Sequence, residues 1–291
     1  MPDEEEVYVA GRFIAPAEAT VAANDASLLL GVGLFETLRT YGGRPFRIEA
    51  HLARMRESGR FLRVLVRESD DDIRRIVGRL IETSGLADAR VRLTATRGPL
   101  AGELDDDAAP PATLIIMAGP MTPYPAHLYD KGATVVVSDI RANETDPATY
   151  HKTTGYLTNL LALRDAHRAG ATEAILFNTK NRLAEAAVSN VFIVKGGRLL
   201  TPPVEDGLLA GITRAAVLDL AAETGVPAEQ ESLSVRDFLD ADEVFLTNSI
   251  MELLPVARVE RREIGAGRPG PVWRKLADAY RALVTRETSG S

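Results

Sequence analysis

The sequence predicts an α+β protein of two domains, a small N-terminal one and a larger C-terminal one. Three observations carry this. The chain has 291 residues, 45% hydrophobic and 26% charged, which suits a globular protein and is long for a single core. Strand-like and helical patterns are mixed along it. The stretch Gly119-Pro120-Met121-Thr122-Pro123-Tyr124-Pro125 is a proline-rich linker, dividing the chain into residues 1–118, a connector 119–130 and residues 131–291.

Val7 to Ile14 reads as a hairpin turning at Ala10-Gly11, and Phe35 to Ile48 as a second hairpin through Tyr41-Gly42-Gly43-Arg44. Glu49 to Phe61 carries a helical stripe of Leu52, Met55 and Phe61. Asp71 to Ser84 repeats it through Ile73, Ile76, Leu80 and Ile81 and stops at Gly85. Two strand-like runs follow, Val91 to Thr96 and Thr113 to Ala118, around an acidic loop at Glu103–Asp107. After the linker come a strand over Thr134–Ser138 and a helix from Leu157 to about Ala169. Strands at Ala174–Phe177, Leu183–Ala187 and Val191–Val194 are next, then a helix opening after Gly211. A strand at Val244–Thr247 and an amphipathic helix over Val272–Val284 close the pattern.

Composition narrows the chemistry. A net charge of −7 and a pI near 5.3 argue against a nucleic-acid or anionic-membrane surface. The absence of cysteine excludes disulfides and thiolate chemistry, and the four scattered histidines show no zinc spacing, so no metal is expected. The acidic start is unlike a targeting peptide and the apolar runs are too short to span a bilayer, giving a cytoplasmic expectation.

Of 34 basic residues only five are lysines, and one of them, Lys152, lies in Tyr150-His151-Lys152-Thr153-Thr154-Gly155-Tyr156, outside any charge run. Lysine can lose its proton and form a Schiff base, which arginine cannot. Gly211-Ile212-Thr213-Arg214 at a helix start offers unpaired N–H groups and a hydroxyl suited to a phosphate, and by itself also reads as a plain helix cap. Thr247-Asn248-Ser249-Ile250 leaves a buried strand with further donors, or is simply a turn. His51-Leu52-Ala53-Arg54 places an arginine on a helix where it can grip an anion or form an ion pair. Glu185 adds a carboxylate. A carboxylate on a pyridinium nitrogen, a lysine and a phosphate cup together describe one cofactor, pyridoxal 5′-phosphate.

These residues resemble the fold-type IV pyridoxal-phosphate enzymes: branched-chain aminotransferases, D-amino acid aminotransferases and 4-amino-4-deoxychorismate lyases. The resemblance runs through Gly33–Arg39, His51–Arg54, Thr96–Gly98, His151–Thr153, Arg182–Glu185, Ser189–Phe192, Thr201–Pro203, Gly211–Arg214 and Asp242–Ser249. It implies a small α/β domain, a larger domain with a mixed, barrel-like β core, and a homodimer using the apolar run Ser27–Phe35. It implies that Lys152 holds the cofactor as a Schiff base and that Glu185 pairs with the ring nitrogen. Arg54, Ile212, Thr213, Thr247 and Asn248 or Ser249 would hold the phosphate, and Tyr156 would reach the phenolic oxygen.

The implied activity is transamination between amino acids and 2-keto acids, D-amino acids being favoured, with the lyase and the branched-chain L-amino acid transaminase as alternatives. Phe35-Glu36-Thr37-Leu38-Arg39 and the four-residue step from Lys152 to Tyr156 resemble the D-amino acid and lyase branches. The region from Thr201 to Phe245 and the ending Gly270-Pro271-Val272 resemble branched-chain enzymes. One departure stands out: Gly102 occupies the position where the favoured branches carry a carboxylate-binding arginine. Arg39, Arg97 and Arg182 are the candidates left for the substrate carboxylate.

Overall fold

A computed structural model describes residues 6–100 and 111–289 of the chain. It divides into two compact units, one of Met1–Thr122, His151–Gly155 and Glu287–Ser291, the other of Pro123–Tyr150 and Tyr156–Arg286. The lysine segment therefore groups with the N-terminal unit although it lies beyond the proline-rich linker in sequence.

The first unit is an antiparallel sheet of β1 (Val7–Val9), β2 (Arg12–Ile14), β3 (Gly33–Tyr41), β4 (Arg44–Pro45), β5 (Ala89–Thr96) and β6 (Thr113–Pro120), in the order β2-β1-β6-β5-β3-β4. Helix α1 (Ala26–Leu30) precedes β3; α2 (Ile48–Leu62) and α3 (Asp70–Ser84) follow β4. Period-two alternation sends Leu34, Leu38, Val91 and Leu93 into one core with Leu52 of α2 and Leu80 of α3. It leaves Phe35, Thr37 and Arg39 of β3, and Arg90, Arg92 and Thr94 of β5, on the other face. Ser69 and Asp72 form a capping box at the start of α3. Gly85 ends that helix where the sequence predicts, in the left-handed conformation at φ 64°. The apolar run Ser27–Phe35 is split. Asp25 caps α1 by accepting from Ser27 N at 2.8 Å, Gly31 closes it, and Leu28, Leu29 and Leu30 are exposed.

The second unit is one curled mixed sheet. Its strands are β7 (Ala133–Ala142), β8 (Glu173–Asn178), β9 (Leu183–Ala186), β10 (Asn190–Lys195), β11 (Arg198–Thr201), β12 (Ala228–Gln230), β13 (Glu243–Asn248), β14 (Glu252–Val259) and β15 (Arg262–Glu263). The order is β12-β11-β10-β13-β14-β7-β8-β9, with β15 on β14, and the curl brings β9 back beside β10. Helices α4 (Ala126–Lys131), α5 (Leu157–Arg168), α6 (Ile212–Thr224), α7 (Val235–Leu239) and α8 (Pro271–Thr288) surround it. α5 is the crossover joining parallel β7 and β8, and packs Ala162 and Ala166 against Ala174 and Leu176. The core is filled by Ile175, Phe177, Val191, Ile193, Leu246 and Leu254.

Strand β14 is absent from the sequence reading, and Pro255 is the reason: a proline inside a strand removes a ladder donor. Here it stands opposite Phe245, one residue before the pairing with β7 begins at Val256, and that register shifts between Val256 and Arg258. Among the described residues no helix is long and apolar enough to cross a membrane.

Candidate active site

In the first unit the site begins with a strand-like addition to β3. Phe35 N donates to Lys152 O at 2.9 Å and Thr154 N donates to Gly33 O at 2.9 Å, so the lysine segment runs antiparallel to the start of β3. The approach requires glycine at 33, where a Cβ would lie 2.7 Å from Ser27 Oγ and 2.8 Å from Thr154 Oγ1. Lys152 Nζ then sits 4.5 Å from the centre of the Phe35 ring, and the Arg92 guanidinium lies 3.9 Å from the same ring. Arg92 was not among the sequence candidates. The signal available was its place on the polar face of Ala89-Arg90-Val91-Arg92-Leu93, but the partner that gives it meaning is far away in sequence.

Arg54 reaches the opposite, core-facing side of β3. Its Nε and Nη2 donate to the two oxygens of Glu36 at 2.7 and 2.6 Å, and His51 Nδ1 lies 2.7 Å from Glu36 Oε2. Burial pushes the Glu36 carboxyl upward, but the charge of Arg54 and hydrogen bonds from His51 and Arg54 outweigh it and hold the group at about 2. Burial keeps His51 below its ordinary value, so the ring is neutral at pH 7. The arginine is thus held by a two-point ion pair, an orientation a surface arginine lacks.

The second unit brings another set together. Glu185 on β9 accepts from Leu209 N at 3.1 Å and from Asn190 Nδ2 at 3.3 Å, which fixes its carboxylate as an acceptor. Asn190 also donates to Leu209 O at 2.8 Å and pairs with Thr247 across β10 and β13. Gly211 packs on the same asparagine, where a Cβ would fall 1.9 Å from Asn190 Oδ1. Gly211 begins α6 with no side-chain cap, so the first N–H groups of the helix, at Ile212 and Thr213, lack an intrahelical partner. Thr247 is 1% exposed and its Oγ1 has no hydrogen-bond partner, a costly state for a buried hydroxyl. Asn248 donates to Val188 O at 3.0 Å and accepts from Ile250 N and Met251 N at 2.9 and 2.8 Å, so its side chain builds the turn that carries Ser249. Tyr156, at the start of α5, donates to Ala187 O at 3.3 Å.

The three arginines proposed for a substrate carboxylate fare differently. Arg39 lies over the Tyr41 ring at 4.4 Å and pairs with Asp88 at 3.4 Å. Arg97 is buried behind α1, its N–H donating to Val32 O and Ser27 Oγ. Arg182 is exposed in the turn between β8 and β9. Gly102 and the acidic loop Glu103–Asp107 lie outside the described residues.

The family of amino-transferases of class IV matches residues 33–259. The crystal structure of the branched-chain amino acid aminotransferase of Escherichia coli superposes with a TM-score of 0.92 at 31% identity, covering 98% of this chain and 96% of that one. The branched-chain amino acid aminotransferase of T.th., with pyridoxamine 5′-phosphate, gives 0.91 at 26%, covering 99% and 96%. The D-alanine aminotransferase of Listeria monocytogenes (strain 10403S) is 27% identical over 284 residues, 97% of this chain and 96% of its own.

The Glu36 network yields a stability prediction. Its carboxyl is depressed from an ordinary 4.5 to about 2. The stability it contributes, roughly 3 kcal/mol, is therefore present above pH 4.5 and lost as pH falls toward 2. Glu36→Gln should lower the denaturant-unfolding free energy by that amount at pH 7, with the gap to wild type closing in acid. Equal stability at pH 7 would show that the pair contributes nothing net.

Proposed function

The chain belongs to the class IV amino-transferases, which are pyridoxal-phosphate-dependent transaminases, and on that premise we propose that it exchanges amino groups between branched-chain aliphatic L-amino acids and 2-oxo acids. Identity of 31% across nearly the whole E. coli branched-chain enzyme carries the substrate class. A second reading, D-amino acids, draws support from the four-residue step between Lys152 and Tyr156 and from the Listeria enzyme.

The residues present fit the cofactor. An uncapped helix start and a buried hydroxyl without a partner suit a phosphate, and a carboxylate already fixed as an acceptor suits a protonated ring nitrogen. Ile212, Thr213 and Thr247 would hold the phosphate, with Arg54 as its cation and Asn248 contributing through the turn that presents Ser249. When bound, pyridoxal phosphate supplies the carbonyl that takes up the amino group and the ring that withdraws electrons from the α-carbon. Glu185 keeps a proton on the ring nitrogen. Lys152 Nζ would be the base that carries the α-proton, and Tyr156 would face the phenolic oxygen. Arg92, on the same aromatic ring as Lys152, is the cation for the substrate carboxylate; an anion taken from water needs such a partner. The exposed Leu28, Leu29 and Leu30 of α1 and Leu157 and Leu160 of α5 support a homodimer.

Titrating the purified protein with L-leucine while following the visible cofactor band and 2-oxo acid release tests the activity. L-leucine should discharge the band, and Lys152→Ala should abolish both band and turnover. Discharge by D-alanine alone would transfer the chain to the D-amino acid group. Pyruvate release from aminodeoxychorismate with the band intact would make it the lyase, and absence of any band would sink the cofactor reading. Thr247→Val replaces a hydroxyl that has no protein partner, so the ligand-free protein should lose no stability while pyridoxal-phosphate affinity falls about tenfold; unchanged affinity would move the phosphate elsewhere. Sedimentation should give twice the 31.4 kDa chain mass, shifting toward the monomer in Leu29→Glu. A monomeric wild type at micromolar concentration would refute the dimer.

A further inference from the structure

Glu173 is the first residue of β8, 1% exposed, and takes no part in the roles assigned above. Its surroundings are a set of donors. Oε1 accepts from Ala174 N at 3.1 Å; Oε2 accepts from Val188 N at 3.2 Å and from Ser189 Oγ at 3.1 Å. Ala187 N is held beside it, donating to Ala174 O at 2.9 Å. The turn Ala187–Ser189, between the strand bearing Glu185 and the strand opening at Asn190, is therefore fastened by its N–H side to the start of β8.

The carbonyl side of the same turn faces the cofactor-holding groups. Ala187 O accepts from Tyr156 Oη at 3.3 Å and from Asn159 Nδ2 at 2.9 Å. Val188 O accepts from Asn248 Nδ2 at 3.0 Å, and Asn248 builds the turn after Thr247. A single carboxylate thus stands behind a three-residue turn that holds Tyr156 and Asn248 in front. A purely apolar residue at 173 would leave the donors at Val188 and Ser189 buried and unmet.

We propose that Glu173 is a positioning residue for cofactor binding: by fixing the Ala187–Ser189 turn it sets the placement of Tyr156 and of the Thr247–Ser249 turn. The proposal rests on the pyridoxal-phosphate reading above. The ionised carboxylate matches the donor set, whereas a neutral carboxyl carries an O–H that must donate to Ser189 Oγ and displace the hydroxyl's own proton. Burial, opposed by the N–H donors, raises Glu173 to about 7, and Tyr124, which precedes α4, is the titratable side chain that senses its charge. The firm arrangement is therefore complete above neutrality and relaxes as pH falls through 7.

The test is the dissociation constant of pyridoxal phosphate for ligand-free protein, by equilibrium dialysis from pH 6 to 8.5, in wild type, Glu173→Gln and Glu173→Asp, with thermal midpoints alongside. Glu173→Gln imitates the neutral form. It should bind about tenfold more weakly at pH 8, with the gap closing toward pH 6, where wild type is itself protonated. The cofactor phosphate, which titrates near pH ~6, is common to all the proteins and cancels in the comparison. Glu173→Asp keeps the charge and should retain the pH dependence. A Glu173→Gln constant equal to wild type at pH 8, or a gap independent of pH, would reduce Glu173 to a packing role and overturn the proposal. If Glu173→Gln does not fold, Ser189→Ala removes one partner of the carboxylate and should weaken binding about threefold at pH 8; no change would equally overturn it. Failure of wild type to bind pyridoxal phosphate at any pH would instead overturn the cofactor reading, and this proposal with it.

Discussion

Two backbone hydrogen bonds, Phe35 N to Lys152 O and Thr154 N to Gly33 O, determine where the Lys152 side chain of the first unit stands. They attach five residues of distant sequence to β3, a strand already fixed by its long antiparallel pairing with β5 and its core beneath α2 and α3. Everything placed around Lys152 follows from that pairing. The Phe35 ring is presented on the same face, Arg92 arrives from the neighbouring strand, and Glu36 points the other way to orient Arg54. A one-residue slip of β3 would exchange these faces and bury the wrong set.

The second unit solves its part of the problem with polar groups rather than with sheet edges. Glu185, Asn190, the Leu209–Gly211 segment and Thr247 are linked through hydrogen bonds or direct packing, and Asn190 is the common member. The arrangement holds the acceptor at Glu185 and the donors of α6 through contacts within the protein itself. Such preordering lowers the cost of ligand binding, since fewer groups remain to be immobilised.

Much of this architecture is legible in the sequence because it is local. The stripes of α2 and α3, the Gly85 stop, the Ala10-Gly11 hairpin and the helix start at Gly211 each declare themselves within a few residues. What is not legible depends on partners distant in the chain. Pro255 argues against a strand until its pairing with Phe245 is seen. Arg92 reads as one more surface cation until Phe35 is placed against it, and Glu173 as an ordinary carboxylate until the Val188 and Ser189 donors converge on it. Asn248 reads as one more donor in a turn until its own bonds to Val188 O, Ile250 N and Met251 N are seen.

The scarcity of lysine has a chemical consequence beyond marking Lys152. An aldehyde cofactor condenses with any unprotonated primary amine it meets, so every accessible lysine side chain competes with the intended one. This chain carries only four others, and three of them have polar partners. Lys195 is bound to Asp237 at 2.9 Å, and that hydrogen bond raises its pKa; Lys180 lies 3.4 Å from Glu144; Lys275 donates to the carbonyl of Thr224 at 2.6 Å. A protonated ammonium has no lone pair to offer, and at Lys195 the pairing with Asp237 favours that form. By using arginine nearly everywhere a positive charge is needed, the chain leaves few lysine amines for a carbonyl compound to meet.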